Sequence, residues 1–116
     1  MTKIKAEILK GTLDCMILKT LASEGGLHGY GIARRIEQAS RDVLSLNQGT
    51  LFPALVRLEK KEWIHSKWGA SEKNRKAKYY ALTRAGRHQL LREMENWERS
   101  AAVVNWVLHA ADSHRR

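Results

Sequence analysis

Asn47-Gln-Gly-Thr-Leu-Phe-Pro-Ala-Leu-Val-Arg-Leu-Glu59 is followed by Trp63-Ile-His-Ser-Lys-Trp68 and Lys78-Tyr-Tyr-Ala-Leu82, and the change of period between these stretches decides the fold. In the first, Leu51, Leu55 and Leu58 recur at helical spacing behind Asn47, a side chain suited to capping a helix start. Proline is easily accommodated only in a first turn, so Pro53 puts the regular start near Gly49 or Thr50, with the end near Lys61. The two later stretches read as the strands of a hairpin, and the segment between them, Gly69 to Ala77, is a polar and strongly basic tip.

Upstream, Leu9, Leu13, Met16, Ile17 and Leu21 mark the buried face of a first helix that ends at Gly25-Gly26. A short second helix runs from about Gly29 to Ala39 with Tyr30, Ile32, Ala33 and Ile36 as its apolar members. Ser40-Arg-Asp turns the chain, and Leu44-Ser-Leu46 can form a small strand before the third helix. Downstream, Thr83 can cap a long last helix from Arg84 to about Ala110, with Gly86 as an early weak point. Along it Leu90, Met94, Trp97, Ala101, Val104, Leu108 and Ala111 recur at alternating steps of four and three, the seam by which one helix packs along another.

Three short helices and a hairpin make a mostly α chain with a small β-hairpin, in the order of a winged helix-turn-helix followed by a long C-terminal helix. The expected division is 1–83 for a DNA-binding head and 84–116 for a dimerisation helix and tail. A helix of about 27 residues would extend roughly 40 Å, more than so small a head can cover, so a second copy is its natural partner. Packing of the seam against the first helix is the simpler alternative.

Composition agrees with one folded core: 116 residues, 43% hydrophobic, 28% charged, a single proline. No apolar run is long enough for a membrane span and no secretory leader is evident, which leads to the expectation of a soluble, cytoplasmic protein. One cysteine, Cys15, excludes an internal disulfide framework and reads as a small buried hydrophobe. The formal charge is +9 and most of the excess lies between Arg57 and Arg87, where ten basic residues face three acidic ones. From His88 to Asp112 the balance inverts to −2. Arg57 and Lys61 fall on or near the third helix, and Lys73, Arg75, Lys76 and Lys78 on the tip, so two elements could neutralise phosphates. Asn47, Gln48 and Thr50 bring hydrogen-bonding groups to the front of the third helix, where they can meet base edges, although capping alone accounts for Asn47.

The chain resembles the PadR family of transcriptional regulators. The residues that carry the resemblance are Gly11-Thr-Leu-Asp-Cys-Met-Ile-Leu18, His28-Gly-Tyr-Gly-Ile32, Gly49 to Glu59, Trp63-Ile64, Trp68-Gly69 and Lys78 to Gly86. Each is weak alone; in this order and spacing they are strong. The resemblance implies a bacterial winged-helix repressor that binds an operator as a homodimer, with the last helix supplying much of the interface. The single C-terminal helix, with no larger C-terminal domain, is similar to that of the compact subgroup. Two positions depart from the family pattern. Phe52 stands where a tyrosine is common, which removes a hydroxyl that could reach a phosphate, and Glu62 stands where a glycine often ends the recognition helix.

Tyr30 is either a core aromatic or a phosphate contact. Trp97, on the seam, could meet its symmetry mate and line a slot for a small planar aromatic effector. The histidines are scattered: His28, His65 and His88 lie on different elements, and His109 and His114 do not have zinc-binding spacing. No catalytic motif, metal set or cofactor loop is present, so the expectation is a non-enzymatic regulator. A winged-helix protein-interaction module with incidental DNA affinity is the alternative, and an RNA binder a more distant one, because no stacking platform can be read on the hairpin.

Overall fold

A computed structural model of the chain describes residues 4–5 and 12–113, with side chains from 12 to 110. Leu9, Gly11, His114 and the side chain of Ala111, all used above, lie outside these residues. Helix α1 spans Leu13–Ser23 and buries Leu13, Ile17, Leu18 and Leu21. It stops where Glu24 turns extended, and Gly26 then takes φ +74, a conformation that glycine reaches without strain. Strand β2 (Leu27–His28) follows, then α2 (Gly29–Ala39), β3 (Leu44–Ser45) and α3 (Gln48–Lys60). The turn after α2 holds Arg41 and Asp42 at φ 57 and 62. A two-residue strand, β1 (Ile4–Lys5), pairs in parallel with β3.

Helix α3 begins at Gln48, so Pro53 lies beyond its first turn, unlike the sequence expectation. Pro53 has no N–H to offer the Gly49 carbonyl four residues back. Both residues are exposed, where water can take that carbonyl, and this limits the cost. The helix ends in a Schellman arrangement: the Trp63 N–H donates to the Leu58 carbonyl at 3.1 Å and the Glu62 N–H to the Glu59 carbonyl at 2.9 Å. Glu62 therefore sits at φ 60, so the helix does not simply run on past its usual stop.

Strands β4 (Ile64–Ala70) and β5 (Lys76–Leu82) form the wing, and β2 adds a third antiparallel strand through Leu27↔Tyr80 and His28↔Tyr79. The tip is only Ser71 to Arg75, so Lys76 and Lys78 belong to a strand and not to the tip. The core joins α1, Ile32 and Ile36 of α2, Leu51, Leu55 and Leu58 of α3, and Ile64 and Tyr80 of the wing. Each such aliphatic side chain contributes roughly 1.5–3 kcal/mol on burial.

Helix α4 spans Arg84–Ser113. Its start is capped by the Thr83 hydroxyl, which accepts from the Gly86 N–H at 2.9 Å and donates to the Glu62 carbonyl at 2.7 Å. Leu90 is buried in the core of its own chain and Met94 packs half-buried against it, so the first turns of the seam serve the head. Beyond Met94 the helix leaves the head, and the molecule reaches 67 Å along its long axis. No helix among the described residues is long and apolar enough to cross a membrane.

Candidate nucleic-acid interface

Helices α2 and α3 form the helix-turn-helix, and each begins with a side-chain cap. His28 Nδ1 accepts from the Gly31 N–H at 3.0 Å, and Asn47 Oδ1 accepts from the Thr50 N–H at 2.9 Å. The His28 ring also meets Tyr30, with centroids 6.3 Å apart, and stands edge-on to Tyr79 at 5.6 Å. His28 thereby locks the start of α2 to β5. Tyr30 is 63% exposed, so it is not the core aromatic that its helical spacing allowed.

Between α3 and the wing lies an open cleft of about 510 Å³ lined by Tyr30, Gln48, Phe52, Val56, Trp68, Lys76 and Lys78 among others. Tyr30, Gln48, Phe52, Lys76 and Lys78 are thus brought together. The Phe52 ring rests on Gly29, where an added Cβ would lie 3.0 Å from the ring's Cζ; the glycine makes room for it. Asn47 is committed to its cap, and Thr50 is half-buried beside it.

The cations fall into different electrostatic settings. Arg57 points away from the cleft and forks onto the Asp14 carboxylate of α1, with Nε 3.3 Å from Oδ2. The hydrogen bonds that Arg57 donates to Asp14 push the already high guanidinium pKa further up. Glu59 ties α3 to the wing: it accepts from the Ser66 hydroxyl at 2.6 Å and lies 3.9 Å from Lys78 Nζ. Lys61 lies 4.8 Å above the Trp63 ring, and Lys76 and Lys78 lie 5.4 and 5.8 Å from the Trp68 ring. Lys73 and Arg75 sit on the tip, where Asn74 at φ 58 and a Ser71–Asn74 turn fold the loop. Neither forms an ion pair among the described residues.

Three members of this face, His28, Val56 and Trp68, are not among the DNA contacts expected from the sequence. The signal for Val56 was present, since Gln48, Phe52 and Val56 recur every four residues off the buried stripe. The histidine cap and the lysines over Trp68 depend on neighbours from other elements. Further along α4, Trp97, Val104 and Leu108 are 57, 54 and 66% exposed, and Ala101 is half-buried. No group of three or more potential metal ligands is found among the described residues.

The model of the transcriptional regulator PadR-like family matches residues 17–92, from α1 into the first turns of α4. A transcriptional regulator from Clostridium thermocellum is 31% identical in sequence and superposes with a TM-score of 0.77, covering 85% of this chain and 95% of that one. A PadR-like transcriptional regulator from Bacillus cereus is 28% identical, with a TM-score of 0.73 over 89% and 97% of the two chains. An uncharacterized protein from Lysinibacillus sphaericus is 29% identical over 109 residues, 94% of this chain and 99% of that protein. With its helix-turn-helix, its wing and its long last helix, the chain belongs to the PadR-like family of transcriptional regulators, DNA-binding proteins without catalytic function.

Proposed function

We propose that the protein is a homodimeric, sequence-specific repressor that acts in the cytoplasm. Two heads read a two-fold symmetric operator with the front of α3, the wings hold phosphates, and paired α4 helices fix the half-site spacing. The observation that carries this reading is on α4, where Trp97, Val103, Val104, Trp106, Val107 and Leu108 are all at least 44% exposed. A helix that is apolar on several faces is stable when something covers it, and the Trp97, Ala101, Val104 and Leu108 seam suits the same helix of a second copy. Occupying a promoter excludes polymerase. Trp97 from each copy would line the slot between the helices, where a planar effector that favours one spacing of the heads would release DNA.

Selection of bound duplexes from a random pool tests the reading. The expected result is a palindromic motif bound far more tightly than scrambled DNA, weakened by Gln48→Ala with Thr50→Ala. Val104→Glu, which puts a charge in the seam, gives a monomer by light scattering and loses most operator affinity. If only uniform, salt-sensitive DNA binding appears and the chain is monomeric, the protein-interaction module is the better reading. Trp97→Ala that leaves every effector response unchanged removes the effector from it.

A further inference from the structure

The exposed face of α3 is unusually apolar for a helix that enters the major groove. Leu51, Ala54, Leu55 and Leu58 are buried. What remains outward along the helix is Gln48, Phe52, Pro53 and Val56, then Lys60, with Phe52 40% and Val56 53% exposed. Arg57, a cation of the same helix, is held on Asp14. Along the line from Gln48 to Lys60, Phe52, Pro53 and Val56 therefore offer no side-chain hydrogen-bond donor or acceptor, and Thr50 lies half-buried off this line beside the cap. On the major-groove edge of a base pair, the group matched to such a surface is the C5-methyl of thymine.

We infer that Phe52 and Val56 read thymine methyl groups, and that the half-site is specified in large part by apolar contact. The inference rests on the DNA-binding reading above and concerns how that site chooses its sequence. Charge supports the occupant, since Lys60 and Lys61 continue the strip and Lys76 borders the cleft, so the patch lies inside a cationic frame suited to a polyanion. The spacing also fits. Four residues of helix rise about 6 Å, close to two base steps of roughly 3.4 Å, so the two side chains address methyls about two base pairs apart. Gln48, one turn before Phe52 on the same line, is of the type that pairs with adenine, the partner of such a thymine. Phe52 carries no hydroxyl, so its ring offers the groove apolar surface alone.

Deoxyuridine in place of thymine removes only the methyl and keeps base pairing. The selected operator is resynthesised with single thymine-to-uracil changes, and each duplex is titrated with the full-length dimer. The expected result is a loss of about threefold to tenfold at one or two thymines per half-site, within about two base pairs of each other, and little change elsewhere. Val56→Ala should abolish the thymine preference at one of these positions and Phe52→Ala at the other. Val56 is the safer variant because its side chain is half exposed and supports no neighbour in the core. Uracil tolerated at every position, or a thymine preference that survives in both variants, overturns the inference while leaving operator binding intact. Absence of sequence-selective binding to any duplex overturns the underlying reading, and this one with it.

Discussion

Gly86→Ala should destabilise the protein although it replaces the poorest common helix residue with the best. In an exposed helix interior the change gains about 1 kcal/mol. Here a Cβ would lie 2.0 Å from the Trp63 carbonyl oxygen, 2.9 Å from that carbonyl's carbon and 2.9 Å from Leu82 Cδ1. Backbone must move, and the groups that hold it are the Thr83 N–H donating to the Trp63 carbonyl at 3.0 Å and the Gly86 N–H donating to the Thr83 hydroxyl at 2.9 Å. Loss of two such hydrogen bonds costs about 1 kcal/mol each, and overpacking against a strand adds roughly 1–3 kcal/mol. Set against the propensity gain, the net loss is about 2–4 kcal/mol, or roughly 8–16 °C in Tm for a domain of this size. Thermal melts followed by circular dichroism at one fixed protein concentration read it, because the stability of a dimer depends on concentration. Ala85→Gly at the exposed neighbouring position is the control and should lose only about 1 kcal/mol. A Gly86→Ala protein that melts at or above the wild type would refute the close approach of α4 to Trp63.

Glu62→Gly should stabilise by about 0.5–1 kcal/mol in urea unfolding, because Glu62 occupies the left-handed C′ position at φ 60 and its carbonyl still accepts from Thr83 after the change. Lys73→Ala with Arg75→Ala should flatten the dependence of log affinity on log salt by roughly 1.8 per head, about 0.9 for each phosphate contact removed, with the preferred motif unchanged. The Cys15 thiol is pushed up, first by burial and then by Glu93, so iodoacetamide at pH 8 should label it roughly tenfold or more slowly in folded protein than in urea. A thiol whose folded pKa exceeds its unfolded value contributes fully below the unfolded value and loses that contribution as pH rises through the folded one, so labelling and loss of stability should both set in on the alkaline side.

What could be read in the sequence was governed by local rules. Asn47 and Thr83 cap their helices as their side chains allow, α2 runs over the residues that its period marks, and the hairpin falls between the two aromatic stretches. The strands nevertheless continue further than their apolar residues indicate. Gly69↔Ala77 and Ala70↔Lys76 keep the ladder going past Trp68↔Lys78 because backbone pairing is indifferent to the side chains on exposed faces. The Tyr79 hydroxyl donating to the Ala70 carbonyl at 2.9 Å secures that end. β2 is two residues long, too short for any alternation to show. Gly86 marks the limit of local reasoning most plainly: by propensity it is a weak point, and in the fold it is the one residue type that lets α4 touch Trp63.

The same distinction orders the charges. Counting cations along the chain treats Arg57 and Lys73 alike, yet Asp14, 43 residues away, holds Arg57 in a bidentate pair that ties α3 to α1. Glu59 makes a comparable tie from α3 to the wing through Ser66 and Lys78. These exposed pairs contribute little to stability, on the order of 1 kcal/mol or less each, but they fix where α3 stands relative to its two neighbours. α1 packs against α4 as well as α3, so the position of the reading helix is referred to the helix that leaves the head. On the proposed reading, phosphate neutralisation rests mainly on the tip, with Lys73 and Arg75, while α3 meets the groove with Gln48, Phe52 and Val56. That reading gives holding and reading to different elements, and a variant on either should change one property without the other.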